Sequence, residues 1–286
     1  MIFIKNNNLI KSPLNYVGGK YKLLPQILPL FPDKIDTFLD LFAGGCNVGV
    51  NINANNIVCN DSETVVIDLM NNLSKLSSSE ALHILKQTIA KYELSKTNEE
   101  GFKRIREDYN TGNKTWDMFY AMLTNAFNYQ IRFNKQGEYN MPFGRNRSWF
   151  NPTLEQNFIK FVDRLEEIHI KFTNKDFRDY NTYQFNTDDF IYCDPPYLVT
   201  TAAYNENGGW AEKDELDLLS FLDDLHSKNI KFALSNVLES KGKCNDILKE
   251  WSEKYNIHFL DKNYSNSNYQ RKETDKKDIE VLITNY

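Results

Sequence analysis

Apolar residues recur along the first quarter of the chain in alternating helix-like and strand-like patterns. Helical spacing predicts a helix over residues 21–31, and a short continuous apolar run predicts a buried strand over residues 37–42. The elements predicted next are a helix at 47–53, a strand at 56–59 and a helix whose apolar stripe covers 65–73. Strands that alternate with helices in this way are typical of a doubly wound α/β sheet.

Residues 74–167 interrupt this alternation. Their pattern predicts helices at 80–92, 99–109, 115–131 and 153–167, with one basic, glycine-containing loop at 132–147. Strands return at 168–172, 190–193, 230–235, 257–260 and 279–284, with helices at 213–228 and 242–255 between them. We therefore predict an α/β fold in which residues 1–73 and 168–286 form a sheet domain and residues 74–167 form a helical insertion.

The composition is that of an ordinary globular protein, with 286 residues of which 41% are hydrophobic and 26% are charged. No apolar run approaches the ~18 residues of a membrane span, and the first residues do not resemble an export signal. We therefore expect neither a membrane protein nor a secreted one. The four cysteines form no C-x-x-C pair and the four histidines no H-x-x-x-H pair, so we expect reduced thiols and no metal site.

The charge distribution says more than the net charge of −5. An acidic chain as a whole does not favour nucleic acid, because non-specific DNA affinity comes from neutralising phosphates. Residues 128–150, the first basic island, nevertheless carry four cations and one anion, and residues 262–277, the second basic island, carry five and two. Two such islands on an acidic body suit a protein that contacts a polyanion with one face, although two solvated loops would have the same composition.

The first chemistry-bearing segment is D-L-F-A-G-G-C-N-V-G at residues 40–49. A strand that leads into a glycine-rich turn and a helix lets a ligand approach the backbone closely. The glycines fall at 44, 45 and 49, so the segment is not the G-x-G-x-x-G dinucleotide fingerprint. A tight strand-to-helix turn without a ligand is the alternative.

Asp61 follows the second predicted strand, 21 residues after Asp40. An acid at this turn is well placed to bind the ribose hydroxyls of an adenosine-containing ligand. The alternative is that Asp61 caps the helix that begins near Val65.

The second segment, Asp194-Pro195-Pro196-Tyr197, follows the strand predicted at 190–193. Two prolines fix an extended turn and remove two backbone donors, which leaves the Asp194 carboxylate and the Pro195 carbonyl as neighbouring acceptors. Two acceptors beside an aromatic ring form a site for a planar base that carries an amino group. A surface turn is the alternative.

These segments resemble the Dam-type DNA adenine-N6 methyltransferases, which use S-adenosylmethionine (AdoMet). The matching motifs stand in that family's order over nearly the whole chain: Y-V-G-G-K at 16–20, D-L-F-A-G-G at 40–45, N-D at 60–61, N-M-P-F-G at 140–144, N-K-D-F at 174–177, D-P-P-Y at 194–197 and F-A-L-S-N at 232–236. Tyr16 stands where some members carry tryptophan.

The resemblance implies a Rossmann-like AdoMet-dependent methyltransferase sheet whose helical insertion recognises the DNA target. It implies that Asp194, Pro195 and Tyr197 are catalytic, with the target adenine flipped out of the duplex and stacked on Tyr197. The residues implied in cofactor binding are Tyr16, Lys20, Asp40, Phe42, Ala43, Gly44, Gly45, Asp61, Asp176, Phe177 and Asp194.

The expected partner is double-stranded DNA, read by a monomer in the cytoplasm of a bacterium or of a phage-infected cell, with a cognate restriction endonuclease as a functional partner. The residues predicted to contact DNA are Arg132, Asn134, Lys135, Asn140, Arg145, Arg147, Arg271 and Lys272. Plain phosphate contact is the alternative to base reading for the first island's basic residues and Asn134. Two other functions stay open: methylation of another planar amino group (cytosine N4 in DNA, or adenine in RNA), and binding without turnover.

Overall fold

The structure is a computed structural model that describes residues 9–15, 18–199, 209–261 and 278–286. The predicted cofactor residue Tyr16 lies outside the described residues. So does the second basic island, with Arg271 and Lys272.

Within the described residues, eight strands form one sheet in the order β3-β2-β1-β4-β5-β8-β7, with β6 paired to the end of β5. The strands are β1 Thr37–Asp40, β2 Asn56–Asn60, β3 Ile170–Thr173, β4 Phe190–Cys193, β5 Lys231–Ser240, β6 Lys243–Cys244, β7 Asn256–Leu260 and β8 Ile279–Thr284. Strands β1 to β5 pair in parallel, whereas β8 runs antiparallel between β5 and β7. All four residues of β4 are buried, as expected of a central parallel strand covered on both faces.

Helices cover both faces of this sheet. In the same part of the chain they are α1 Leu24–Ile27, α2 Thr64–Leu73, α3 Ser78–Lys91, α4 Glu99–Thr111, α5 Trp116–Asn125, α6 Pro152–Glu167, α7 Glu212–Ser227 and α8 Asp246–Ser252. Local sequence sets several of their starts: Ser77 and Glu80 form a capping box at α3, and the Asn151 side chain caps α6 ahead of Pro152.

The alternation of side chains along the strands separates two cores. Phe190 and Tyr192 of β4 point into one core, and Ile191 and Cys193 into the other. The first core continues without interruption from β1 through α2 into α3, α4, α5 and α6, so the inserted helices pack directly on the sheet layer. The second core lies under α7 and α8. This mixed α/β fold with a mainly parallel sheet agrees with the predicted fold class.

Three of the predicted helices are wrong in extent. The segment 21–31 contains only the four-residue α1 between two short 3-10 turns, since Pro25 and Pro29 each lack a backbone donor. The helix predicted at 115–131 ends at Asn125, because Asn128 and Tyr129 adopt left-handed conformations with φ of 55°. The helix predicted at 242–255 is shortened to α8 because β6 occupies its first turn.

The helix predicted at 47–53 is also wrong, since only a 3-10 turn at Gly49–Asn51 forms there. The other predicted helices and strands are present, within a few residues of their predicted bounds except for the longer β5. Among the helices that the structure describes, none is long and apolar enough to cross a membrane.

Candidate active site

The carboxyl ends of β1 and β4 lie side by side at the centre of the sheet. From β1 the sheet extends through β2 to β3 on one side, and from β4 through β5 on the other, so a crevice opens where the direction of winding changes. Asp40 is the last residue of β1 and Asp194 directly follows β4. Sequence and topology thus bring both acids to the same edge.

A cavity of about 770 Å³ occupies this edge. Every described residue that the sequence implicated in catalysis or in cofactor binding lines it: Lys20, Asp40, Phe42, Ala43, Gly44, Gly45, Asp61, Asp176, Phe177, Asp194, Pro195 and Tyr197. Its volume is within the range of small-molecule and cofactor sites.

The glycine-rich segment wraps around the mouth of the cavity as a series of turns. The backbone N–H of Ala43 donates to the carbonyl of Asn60 over 2.7 Å. Gly44 and Cys46 adopt left-handed φ values of 49° and 59°, which turn the chain away from β1. Gly49 then packs against the Cys59 sulfur of β2, where a larger residue would not fit. This close packing, rather than helix formation, decides the conformation of the segment.

Asp61 connects the glycine-rich loop to the turn after β2. Its Oδ2 accepts the Gly44 N–H over 2.8 Å, and its Oδ1 accepts the Glu63 N–H over 2.9 Å. Helix α2 begins at Thr64 with Glu63 in the capping position, so Asp61 is not the helix cap that the sequence allowed. Burial raises the pKa of Asp61, and hydrogen bonds from the N–H groups of Glu63 and Gly44 partly offset this rise.

Asn60, which the sequence singled out only as part of the N-D pair, holds three loops together. Its Nδ2 donates to the carbonyls of Leu41 and Lys175, and its Oδ1 accepts from the hydroxyl of Thr173 and the N–H of Lys175. A buried carboxamide with all these partners fixes the relative positions of the turns after β1, β2 and β3.

Asp40 is buried and has an oxygen, Oδ1, that makes no hydrogen bond within the described structure. Burial raises the pKa of Asp40 well above its ordinary range, and the neighbouring charges of Asp194 and Asp61 add to the effect. An acceptor left without a partner in the wall of a cavity is costly to the protein alone. It suits a ligand that brings a donor or a positive charge.

Lys20 and Tyr197 meet on one oxygen of Asp194. The Lys20 ammonium lies 2.7 Å from Oδ1, and the Tyr197 hydroxyl donates to the same atom over 3.0 Å. Glu280 of β8 completes the cluster, 3.7 Å from Lys20 and 3.4 Å from the Tyr197 hydroxyl. Burial raises the pKa of Asp194, and the Lys20 charge opposes that rise. The sequence placed Lys20 over the cofactor and gave no sign of Glu280 as a partner.

Three aromatic rings form one wall of the cavity. Phe42 and Phe177 lie with centroids 5.5 Å apart, and the Trp210 ring lies 5.7 Å from each. Phe177 and Phe42 come from predicted motifs, but sequence reasoning missed Trp210. Asp176, next to Phe177, lines the cavity while its carboxylate pairs with Arg178 over 3.3 Å.

The first basic island lies beside this cavity as a loop with two isolated β-bridges. Several of its predicted DNA contacts are engaged within the chain: Arg132 donates to the side chain and carbonyl of Asn140, and Arg145 pairs with Glu99. The Asn134 oxygen accepts two backbone N–H groups of its own turn, from Gln136 and Glu138.

Two further cavities adjoin the loop. One, of about 1100 Å³, is lined by Arg147, Asn128 and Tyr129 and shares Gly18, Gly19 and Asn47 with the first cavity. The other, of about 1270 Å³, is lined by Arg132, Asn134, Lys135 and Asn140. The cavity lined by Arg147 also includes Glu280 of the acidic cluster, and the cavity lined by Arg132 and Lys135 shares Glu63 with the first cavity.

A family of known sequences matches this chain over residues 16–266, the D12 class N6 adenine-specific DNA methyltransferases. The chain belongs to this family. That assignment agrees with the resemblance read from the motifs, and membership in general implies use of AdoMet.

Individual relatives extend the comparison. The chain is 51% identical over 286 residues to the type II methyltransferase M.FokI of Planomicrobium okeanokoites, covering 99% of this chain and 44% of that protein. It is 44% identical over 283 residues to the modification methylase StsI of Streptococcus sanguinis, covering 97% and 43%. It is 25% identical over 256 residues to the DNA adenine methylase of Salmonella typhi, covering 86% of each. The chain thus spans less than half the length of the first two relatives.

We expect Gly49→Ala to lower the free energy of unfolding by ~1–3 kcal/mol, because its methyl group would overlap Cys59 Sγ and lie 2.9 Å from Cys46 Sγ. Cys59→Ala removes the nearer obstacle. In the double variant the loss should therefore be smaller than the sum of the two single losses. Urea denaturation followed by circular dichroism measures all three variants, and additive losses would show that this contact does not restrict position 49.

Proposed function

We propose that this chain transfers a methyl group from AdoMet to N6 of an adenine flipped out of a short, specific sequence in double-stranded DNA. The observation that carries the proposal is the junction of Asp194-Pro195-Pro196-Tyr197 with the cavity lined by the glycine-rich loop and Asp61. Family membership supports the reaction type, and the arrangement of the residues supports each role.

The charge of the cavity suits a cationic cofactor. Among the described lining residues, carboxyl groups outnumber cations, with Asp40, Asp61, Glu63, Asp176, Asp194, Asp214 and Asp278 against Lys20, Lys175, Arg178 and Lys241. We assign Asp61 to the ribose hydroxyls, the ring wall of Phe42 and Phe177 to the adenine, and the unpartnered oxygen of Asp40 to a donating or charged group of the cofactor. When bound, AdoMet supplies a methyl group activated by a positively charged sulfur.

Asp194 and Pro195 orient the amino group that is to be methylated. The lone pair of adenine N6 is delocalised into the ring, so the amino group reacts only when it is held by acceptors that favour a localised lone pair. Lys20 and Tyr197 both occupy Oδ1 of Asp194, and we therefore assign Oδ2 and the Pro195 carbonyl to the amino group. Burial raises the pKa of Asp194, which makes the carboxylate a stronger acceptor than an exposed aspartate, and the Lys20 charge opposes that rise and so favours the ionised form.

The DNA itself has to approach from the side of the basic loop. A base inside a duplex cannot reach Asp194, so the proposal requires flipping, with Tyr197 stacking on the base. The hydroxyl bond from Tyr197 to Asp194 fixes the orientation of that ring. We propose Arg147 and Lys135 as the first contacts to DNA, since both are exposed and each lines a cavity beside the loop.

The relatives suggest the biological context. One is named a type II methyltransferase and another a modification methylase. We propose that this chain likewise acts in restriction–modification in a bacterial cytoplasm, as a monomer, with a cognate endonuclease as a functional partner. Labelled AdoMet and duplexes in which only adenine or only cytosine can accept methyl separate the proposed reaction from cytosine N4 methylation.

Asp194→Ala should lower the rate of methyl transfer by at least ~10²-fold, because the amino group loses a charged acceptor in a largely buried site. Binding of duplex DNA should survive, since the basic loop lies elsewhere. Asp163→Ala, at an exposed aspartate of α6, is the control and should keep the wild-type rate. A rate for Asp194→Ala within a factor of ten of wild type would remove Asp194 from the proposed mechanism.

In the profile of kcat/KM against pH, Lys20→Met should move the acidic limb to higher pH. The reaction requires ionised Asp194, so activity is lost as pH falls through the pKa of that carboxyl. Burial raises this pKa and Lys20 lowers it, so removing the lysine raises it further. Lys20→Arg keeps the charge, and Lys175→Met removes a lysine from the same cavity; both should leave the limb in place. If the acidic limb of the Lys20→Met profile is unchanged or moves to lower pH, the proposed influence of Lys20 on the pKa of Asp194 is wrong.

Arg147→Ala should weaken binding to duplex DNA and reduce the salt dependence of log K by about one unit if the side chain contacts a phosphate. If it reads a base, the cost should be ~1–3 kcal/mol at the cognate site, with relaxed preference at one position. Lys160→Ala removes an exposed charge of α6 and is the matched control. Fluorescence anisotropy over a panel of site variants at two salt concentrations decides, and unchanged affinity with an unchanged salt slope would exclude Arg147 from the interface.

A further inference from the structure

Glu215, in the first turn of α7, is a completely buried carboxylate with neutral partners. Its Oε2 accepts the indole N–H of Trp210 over 2.6 Å. Its Oε1 accepts the Nδ2 groups of Asn236 over 3.1 Å and of Asn245 over 3.0 Å. Within the part of the chain that the structure describes, neutral donors compensate this carboxylate, and that is a costly arrangement for a buried charge.

The orientation of both asparagines is fixed by the backbone. The Oδ1 of Asn236 accepts the Val237 N–H, and the Oδ1 of Asn245 accepts the Leu248 N–H at the start of α8. Each carboxamide must therefore turn its NH₂ group toward Glu215. The three described side chains that hydrogen-bond to Glu215 are all donors, so the position requires a side chain that accepts at both ends. A carboxylate does this, and a carboxamide of the same shape does not.

Trp210 connects this buried charge to the cavity. Its ring packs on Phe42 of the glycine-rich loop and on Phe177 after β3, and it lines the cavity beside them. The Trp210–Glu215 hydrogen bond therefore joins this ring of the wall to α7. The rings are tilted to one another by 45°, 82° and 42°, so a purine would stack on the face of one ring and contact the others at their edges.

The same helix carries a comparable pair that does not reach the cavity. Asp223 accepts the indole N–H of Trp251 over 2.8 Å, together with the Tyr255 hydroxyl and the Lys254 ammonium. Trp251 packs on Phe232 and Tyr255, away from the cavity walls. This pair provides an internal control in which a carboxylate of α7 also accepts an indole N–H, although Asp223 is half-exposed and additionally pairs with Lys254.

We propose that Glu215 is a positioning residue that holds Trp210 against Phe42 and Phe177, so that the purine of the cofactor meets a preformed aromatic wall. This inference rests on the proposed function for the identity of the ligand. It gives helix α7, which contains none of the sequence motifs, a role in cofactor affinity. Preorganisation of the wall lowers the ordering cost of binding.

The test compares Glu215→Gln with Asp223→Asn in the full chain. In Glu215→Gln a single carbonyl oxygen remains, and it keeps two hydrogen bonds if it faces Asn236 and Asn245 but one if it faces Trp210. The NH₂ group should therefore face the Trp210 indole N–H, and the tether breaks. Affinity for AdoMet, measured by calorimetry without DNA, should fall at least about tenfold, and S-adenosylhomocysteine and adenosine should lose affinity by a similar factor because they share the purine. Asp223→Asn should bind all three ligands within about twofold of wild type, because its indole partner Trp251 does not line the cavity.

A second readout needs no ligand. In protein labelled with 5-fluorotryptophan, the resonance of Trp210 is identified by its absence in Trp210→Phe. Glu215→Gln should shift or broaden this resonance and leave that of Trp251 unchanged, whereas Asp223→Asn should do the reverse. Trp210→Phe also serves as the second variant if Glu215→Gln fails to fold, since its untethered ring should lower AdoMet affinity several-fold.

The outcomes separate the two proposals. If wild type binds AdoMet, and both Glu215→Gln and Trp210→Phe bind it equally well, the positioning role fails while the proposed function stands. An unchanged Trp210 resonance in Glu215→Gln also overturns the role. If wild type binds neither AdoMet nor adenosine, the proposed function fails, and the positioning role fails with it.

Discussion

One buried ammonium group, that of Lys20, holds together three segments that are far apart in the sequence. It pairs with Asp194 after β4 and with Glu280 on β8, and it donates to the carbonyl of Gly18 near the start of the chain. Burial raises the pKa of Asp194, and the charge of Lys20 opposes that rise, so the ion pair favours the ionised form of the carboxyl group. The cleft at the end of β4 can thus keep an ionised aspartate in largely buried surroundings, and that is the form the proposed reaction requires.

Much of this cleft could be predicted from the sequence because its acidic turns follow short apolar runs. Asp40 ends one buried strand and Asp194 follows another, and carboxyl ends of neighbouring parallel strands meet in one crevice. The helix predicted at 47–53 is wrong because its conformation depends on a contact that is not local. Gly49 packs on Cys59 of β2, and the sequence does not show that these two residues meet. Apolar spacing reports which face of a segment is buried, and it carries no information on which distant side chain lies beside it.

The basic loop gives a second example, because the sequence does not show which of its cations pair with other residues of the chain. Four cations in a short stretch indicate a positive surface, but the sequence gives all of them equal weight. In the structure Arg132 holds Asn140 and Arg145 pairs with Glu99, so part of the charge builds the loop that carries it. Arg147 lines a cavity that shares Gly18 and Gly19 with the cavity at the end of β4. Internal pairing therefore divides an apparently uniform island into cations that are engaged by neighbours in the loop and helix α4 and cations that have no ion pair among the described residues.

Three buried carboxyl groups, two in the cleft and Glu215 behind its aromatic wall, differ in what compensates them, and the difference separates their roles. Asp194 has a cation, and Glu215 has three neutral donors, so both are satisfied within the chain. Asp40 keeps one oxygen without a partner in the described structure and lies in a wall where carboxyl groups outnumber cations. Such a cavity attracts a positively charged cofactor more strongly than a neutral one. Because the proposed transfer converts a sulfonium into a neutral thioether, the product lacks the electrostatic attraction that favours binding of the cofactor before the reaction.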